Sequence, residues 1–263
     1  MTAPRVLVVV PARMASSRFP GKPLVSIGGL PMIEHIRRRA ALAAGITEVI
    51  VATCDDAIRH EVEAAGGRVA MTSSSHERCT ERVEEAVRTE DADIVIIVQG
   101  DEPLLLPEFV EQVMRPVVDD ATTGITNLVS PLDQAADATN PNIVKAACDT
   151  RGDILFFSRA PIPYYQRPAD CPVYRQTGIM AFRSELLRHY VSLPATPFER
   201  AEGIDMMRLL EHGLPVRAVL ASTGTVGVDR PDDVALVETA LRDDARQREL
   251  HQLISSNSGQ GQR

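Results

Sequence analysis

RVLVVVPARMASSRFPGKPL, residues 5–24, decides the architecture. An unbroken β-branched run such as residues 5–10 suits a strand covered on both faces, the pattern of a central parallel strand. The loop after it is punctuated by Pro and Gly and sets Arg13, Arg18 and Lys22 among Ser16, Ser17 and Gly21. Working outward, the apolar periodicity predicts a helix from near Pro31 to near Gly45, a strand over 47–53, a helix over 56–66, a strand over 68–71, a helix over 77–90 and a strand over 93–98. Strands alternating with helices imply βαβ units, and the right-handed crossover rule makes the sheet Rossmann-like. In such sheets ligands bind beyond the carboxyl ends of the strands. Pro11-Ala12-Arg13 and Gln99-Gly100-Asp101 therefore open onto one rim.

From about residue 123 the pattern is less regular. Strands are expected near 123–129, 143–148, 153–158, 178–183, 216–220 and 225–228. Helices are expected over 184–192 and 199–212, with a last one opened by Pro231-Asp232-Asp233. The expected fold class is α/β with a mostly parallel sheet, one domain over 1–250 carrying a smaller lobe within about 130–215. Residues 251–263 are polar and Gly/Ser/Gln-rich toward their end, and read as a disordered tail.

The chain has 263 residues, 44% of them hydrophobic, and a formal charge of -8. That charge argues against generic nucleic-acid binding, which shows as a basic domain or stripe. No apolar run reaches the roughly 18 residues of a membrane span, and the short apolar start reads as a strand rather than a signal peptide, so a cytoplasmic protein is expected. Cys54, Cys79, Cys148 and Cys171 have no metal-ligand spacing and are expected as free thiols. Of 28 basic residues only Lys22 and Lys145 are lysine. Against such an arginine bias, a lysine marks a place that needs a compact point charge. Histidines 35, 60, 189, 212 and 251 sit on charged helical stretches and are expected at the surface or at caps. The Arg37-Arg38-Arg39 run is expected as a solvated helix face, and Met206-Met207 as core.

Three cations and two hydroxyls around a glycine can clamp a triphosphate. The loop is neither a Walker loop nor a G-x-G-x-x-G turn. Asp101 follows one apolar strand and Asp229, in GVDRP, follows another. Two carboxylates at strand ends can hold Mg²⁺ against phosphate oxygens, since Mg²⁺ commonly takes one or two carboxylates plus waters and phosphates.

PARMASSRFPGKPL, VQGDEPLL, NPNIVKAA, FFSRAPIP and GVDRPDD, in that order, resemble the motifs of 3-deoxy-manno-octulosonate (KDO) cytidylyltransferases over roughly residues 4–245. The resemblance implies a nucleotide-diphospho-sugar transferase fold, a small lobe used for homodimerisation, CTP as donor and Mg²⁺ as cofactor. It assigns Arg13, Lys22, Asp101 and Asp229 to catalysis, with both aspartates on the metal. Pro11, Ala12, Arg13, Ser16, Arg18, Lys22, Thr80 and Arg82 go to the nucleotide, and Gln99, Lys145, Arg159 and Asp205 to the acceptor.

The chain also departs from that pattern. H-x-S-G-T-[DE]-R becomes His76-Glu77-Arg78-Cys79-Thr80-Glu81-Arg82, and R-H-x-G-[IL]-Y becomes Arg175-Gln176-Thr177-Gly178-Ile179-Met180. Asp205 stands where Glu is expected. These changes are read as clustering around the acceptor, with Arg78 and Gln176 joining the acceptor set and Arg78 shrinking the pocket. The expected reaction is transfer of CMP from CTP to a small anionic acceptor with release of pyrophosphate. The favoured acceptor is a phosphonate such as phosphonoformate, with KDO as the alternative and a non-catalytic nucleotide-binding regulator as the alternative of another class. A glycosyltransferase is disfavoured because Asp91-Ala92-Asp93 precedes its strand.

Overall fold

The computed structural model describes residues 3–15, 19–132, 135–167, 171, 173–221, 223–224 and 226–256. In chain order the first half contains β1 (Val6–Ala12), β2 (Ser26–Ile27), β3 (Leu30–Pro31), α1 (Met32–Ala40), β4 (Glu48–Thr53), α2 (Asp56–Ala64), β5 (Arg68–Met71), α3 (Cys79–Val87), β6 (Ile94–Val98) and α4 (Pro107–Asp119). The second half contains β7 (Ile125–Pro131), α5 (Ala135–Thr139), β8 (Lys145–Cys148), β9 (Ile154–Ser158), β10 (Val173–Arg183), α6 (Ser184–Ser192), α7 (Pro197–Glu202), α8 (Met206–Glu211), β11 (Arg217–Leu220), α9 (Asp233–Asp243) and α10 (Ala245–Ser256).

The main sheet runs β11-β7-β10-β6-β1-β4-β5. β1 pairs in parallel with β4 and β6, and β4 with β5, as the βαβ reading requires. β10 enters antiparallel between β6 and β7, which makes this a mixed α/β sheet with a parallel centre. Every residue of β1 is buried, and its side chains alternate between two cores. Val6, Val8 and Val10 pack with Met32, Ile33 and Ile36 of α1 and with Phe109, Val110 and Val113 of α4. Leu7 and Val9 pack with Val83 of α3 and Leu187 and Tyr190 of α6. Each such enclosed aliphatic side chain contributes about 1.5–3 kcal/mol of transfer free energy, so slipping this strand by one residue would cost both cores their match.

The structure departs from the expected elements in several places. α4 occupies a stretch left without an element, its apolar positions turned to the core and Pro116 in its last turn. The single helix expected over 199–212 breaks into α7 and α8 at Gly203, whose φ of +67° is a left-handed conformation that suits glycine. Among the described residues, 226–228 form no strand. β10 begins at Val173 rather than at 178 and carries a register shift between Gln176 and Met180. α10 continues through 251–256, which the expected tail had claimed, and 257–263 lie outside the described residues.

α10 packs on α1 and overturns the solvated reading of that helix. Arg39 is fully buried, donating to the Leu105 carbonyl and to Gln247 of α10, while Arg37 and Arg38 grip the buried Glu34. His35, expected at the surface, is enclosed. Its Nε2 bonds the Ile27 carbonyl at 2.7 Å and its ring stacks on His251 of α10. Burial lowers the His35 imidazole to about 4, and burial lowers His251 as well. The unfolded chain, with histidines near 6.5, therefore takes up protons that the native fold refuses. Stability should be full above about pH 6.5 and fall as the pH drops toward about 4. Thermal melts across that window should show this slope reduced in His35→Phe; an unchanged slope would dissociate it from the pair.

Candidate functional site

The carboxyl ends of β1, β4 and β6 and the bulged part of β10 meet on one rim. Beyond β6, Gly100 lies so close to β1 that a Cβ there would come within 2.8 Å of the Pro11 carbonyl oxygen. Glycine is the residue that allows the two strand ends this approach. Asp55, after β4, accepts from the Met14 amide at 2.8 Å and fixes the start of the first loop. From the far edge of the sheet, the segment after β11 returns to the rim and its Val228 amide donates to the Asp101 carbonyl at 2.9 Å. Asp233, at the start of α9, accepts from the amides of Asp229 and Arg230 at 2.8 Å each and so orients that turn.

Three cavities open here. The largest, about 490 Å³, is lined by Asp101, Asp229, Arg159, Arg175, Arg230 and Asp205 among others. A second of about 300 Å³ is lined by Pro11, Ala12, Arg13, Lys22, Cys79 and Gly100. Gln99 and Asp101 line both, so the two cavities share a wall. A third, about 130 Å³, adjoins the second through Pro11, Ala12, Arg13 and Cys79, and adds His76, Arg78 and Arg82. Arg13, Lys22 and both aspartates thus lie along one rim. Lys22 donates to the Val228 carbonyl at 2.8 Å and lies 3.4 Å from Asp101 Oδ2, which ties the first loop to the returning segment. Ser16 and Arg18 lie outside the described residues.

The register shift in β10 is a bulge, a device that re-aims side chains. Here it turns Gln176, Thr177, Gly178 and Met180 toward the largest cavity. Asn127 holds it, donating to the carbonyls of Thr177 and Ile179 and accepting from Gln176 Nε2 at 2.8 Å. The break between α7 and α8 brings Gly203, Ile204 and Asp205 to the same cavity. Thr80 is buried and lines none of the three cavities; its hydroxyl donates to Asp205 Oδ2 at 3.0 Å.

Two expected acceptor residues are corrected. Arg78 lines the third cavity, beside Arg13, rather than the largest one. It therefore does not shrink the space expected for the acceptor, and its Nε lies 3.6 Å from Glu199 and 3.7 Å from Asp205. Lys145 is fully buried behind the cavity wall, its ammonium given to backbone carbonyls. Asn140, Asn142, Arg175 and Arg230 were missed as lining residues, although each is part of, or one position from, a motif singled out in the sequence.

The chemistry available is positioning and charge compensation. Burial pushes the Cys79 thiol well above its ordinary range, and the neighbouring Asp205 carboxylate adds to this, so the thiol stays protonated and is not a nucleophile. Asp101, at the junction of two cavities, and Asp229, in the wall of the largest, offer hard oxygen donors. Among the described residues no group of three His, Cys, Asp or Glu could hold a metal. The pair suits a cation that completes its shell with phosphate oxygens and water, the habit of Mg²⁺.

A family model described as cytidylyltransferase matches residues 7–218. A protein of Myxococcus xanthus named 3-deoxy-manno-octulosonate cytidylyltransferase is 43% identical over 245 residues, covering 92% of this chain and 98% of its own. One of the same name from Geobacter metallireducens is 39% identical over 248 residues, covering 90% and 98%. A solved structure of CMP:2-keto-3-deoxy-manno-octonic acid synthetase complexed with CTP superposes with a TM-score of 0.86 at 38% identity, over 91% of this chain and 99% of that one. A cytidylyltransferase from Leptospira borgpetersenii, at 16% identity and a TM-score of 0.64, shares the fold. No helix among the described residues is long and apolar enough to cross a membrane.

Proposed function

The chain belongs to the 3-deoxy-manno-octulosonate cytidylyltransferase family and is a CTP-dependent nucleotidyltransferase, and from that premise we propose that it transfers CMP from CTP to KDO or a close eight-carbon keto acid, with release of pyrophosphate. The observation that carries the acceptor reading is the cavity of about 490 Å³ lined by Arg159, Arg175 and Arg230, joined at Gln99 and Asp101 to the cavity of Arg13 and Lys22. Its size lies within the roughly 300–1,000 Å³ of small-molecule sites, and its arginines suit a carboxylate. The relatives' names support the same acceptor.

The acceptor hydroxyl oxygen attacks the α-phosphorus in line, the α-phosphorus to pyrophosphate oxygen bond breaks, pyrophosphate leaves with the bonding electron pair and the hydroxyl proton passes to water. Arg13 and Lys22 compensate the phosphate charge, and the shared wall brings the two reactants together. Such a reaction asks the protein for placement and electrostatics rather than a covalent nucleophile. Mg²⁺ held by Asp101 and Asp229 would supply further neutralisation of the phosphates. A homodimer formed through the small lobe is part of the proposal, supported by Leu155, Tyr164 and Phe198, which are 62%, 90% and 52% exposed.

A second reading, a phosphonate such as phosphonoformate, is favoured by one observation. Gln176 and Met180, the positions of His and Tyr in the R-H-x-G-[IL]-Y pattern that the sequence resembles, line the largest cavity. Arg78 no longer supports it, because that residue lines the third cavity. Pyrophosphate release should be measured with CTP, UTP, ATP and GTP crossed with KDO, phosphonoformate and other phosphonates. CTP with KDO should give the highest kcat/KM; a preference for phosphonoformate would install the second reading, and absence of turnover with every pair would refute both.

A further inference from the structure

The buried lysine does work that the proposed reaction leaves unassigned. Lys145 Nζ donates to the carbonyls of Asn140 at 2.9 Å, Ile143 at 2.8 Å and Arg159 at 2.5 Å. An ammonium has three hydrogens, so all of them are used, and Lys145 forms no ion pair among the described residues. Each of the three carbonyls belongs to a residue that lines the largest cavity, whereas Lys145 itself does not.

The partners come from two separate segments, the loop 140–143 before β8 and the end of β9. Arg159 is held between them: its NH1 donates to the Pro141 carbonyl at 3.0 Å, its Nε to the Glu202 carbonyl at 2.9 Å and its amide to Glu202 Oε2 at 2.9 Å. Glu202 in turn accepts from the Ser158 hydroxyl at 2.7 Å and immediately precedes the Gly203–Met206 wall. Removing Lys145 frees three carbonyls behind the wall at once. Burial, and the repulsion of Arg159, both lower the Lys145 ammonium, against an attraction from Glu202. A cation kept in such surroundings is there for its geometry, three donors spread tetrahedrally, which a planar guanidinium cannot reproduce. That accounts for one of the two lysines in a chain whose other 26 basic residues are arginine.

We infer that Lys145 is a positioning residue for the acceptor: it joins the 140–143 loop to the backbone of Arg159 and thereby sets where the Arg159 guanidinium meets the acceptor's anionic group. This rests on the reading of the largest cavity as the acceptor site. Wild type, Lys145→Met, Lys145→Arg, Arg159→Ala and the double variant Lys145→Met/Arg159→Ala should be compared by pyrophosphate release. The acceptor is KDO, or phosphonoformate if the wild type selects it, and KM is taken separately for acceptor and CTP.

Lys145→Met should raise the acceptor KM at least tenfold while the CTP KM stays within twofold, and Lys145→Arg should not restore it. In the Arg159→Ala background, loss of Lys145 should add less than threefold. An acceptor KM within twofold of wild type, or a CTP KM that rises in parallel, overturns the inference. So does failure of both Lys145 variants to fold, which would make the residue purely a stabiliser. An unchanged acceptor KM in Arg159→Ala overturns the cavity assignment and this inference with it. A raised value there with an unchanged value in Lys145→Met overturns the inference alone.

Discussion

Asp101→Asn should lower kcat by a thousandfold or more while leaving the melting temperature within about 2 °C. At about 1.36 kcal/mol per decade, that is about 4 kcal/mol of transition-state stabilisation, the scale at which a preorganised electrostatic group acts on a transferring phosphoryl group. The side chain has little structural duty. Its Oδ2 lies 3.4 Å from Lys22 in a pair that is 31% exposed on the aspartate side, and such pairs contribute at most about 1 kcal/mol. The bond that seats the returning segment, from the Val228 amide, goes to the Asp101 backbone carbonyl and survives the change. What is lost is one carboxylate charge at the wall shared by both cavities. Steady-state pyrophosphate release across a Mg²⁺ titration, beside thermal melts, provides the check. A kcat within tenfold of wild type would remove Asp101 from the proposed metal pair, and a large drop in melting temperature would mean that the fold depends on this carboxylate.

Arg208→Ala should have the largest effect on stability, about 3–5 kcal/mol. Arg208 donates to both oxygens of Glu199, at 2.7 and 2.8 Å, and to Glu81 at 3.0 Å, and its guanidinium lies 4.4 Å from the Tyr190 ring centroid. Its side chain is 5% exposed and that of Glu199 only 1%. Burial pushes the Glu199 carboxyl up, but the Arg208 hydrogen bonds, the Thr196 amide and the charges of Arg208 and Arg78 together hold the group below its ordinary value. Without Arg208, an enclosed carboxylate keeps Arg78 at 3.6 Å and must either stay poorly compensated or take up a proton. For a chain of this size the loss corresponds to a fall of about 6–20 °C in melting temperature, measurable by calorimetry. A fall of less than about 3 °C would show that the arginine's desolvation had cancelled its attraction to the two carboxylates.

The parts of the molecule legible in the sequence are those in which short-range pattern and long-range environment agree. The 5–10 run faces apolar helices on both sides of the sheet, so its composition alone announces a central strand. Polar motifs directly after β1 and β6 had to share a rim because parallel strands end on one side. Legibility fails where a distant segment decides the environment. Arg39 and His35 have surface-like neighbours in sequence and became core because α10, some 210 residues later, lies across them. Lys145 sits in a motif but was given to the wrong partner, since nothing local reveals that three carbonyls converge on it. Arg78 is read into the acceptor set because the departures from the family pattern are taken to cluster there. It does meet Asp205, but across a wall that only the packed helices create. The β10 bulge had no local signal beyond Gly178, whose Cβ would fall 2.7 Å from that of Gln99.

β10 has a mechanical consequence. Its first residues pair with β8 and β7, its later ones with β7 and β6, and the chain passes from one set of partners to the other without leaving the sheet. A continuous beam of this kind stiffens the floor it forms, because rotating β8 against β6 would have to tear the ladder that unites them. Adjustment to the reactants then falls to the loops around a floor already cast.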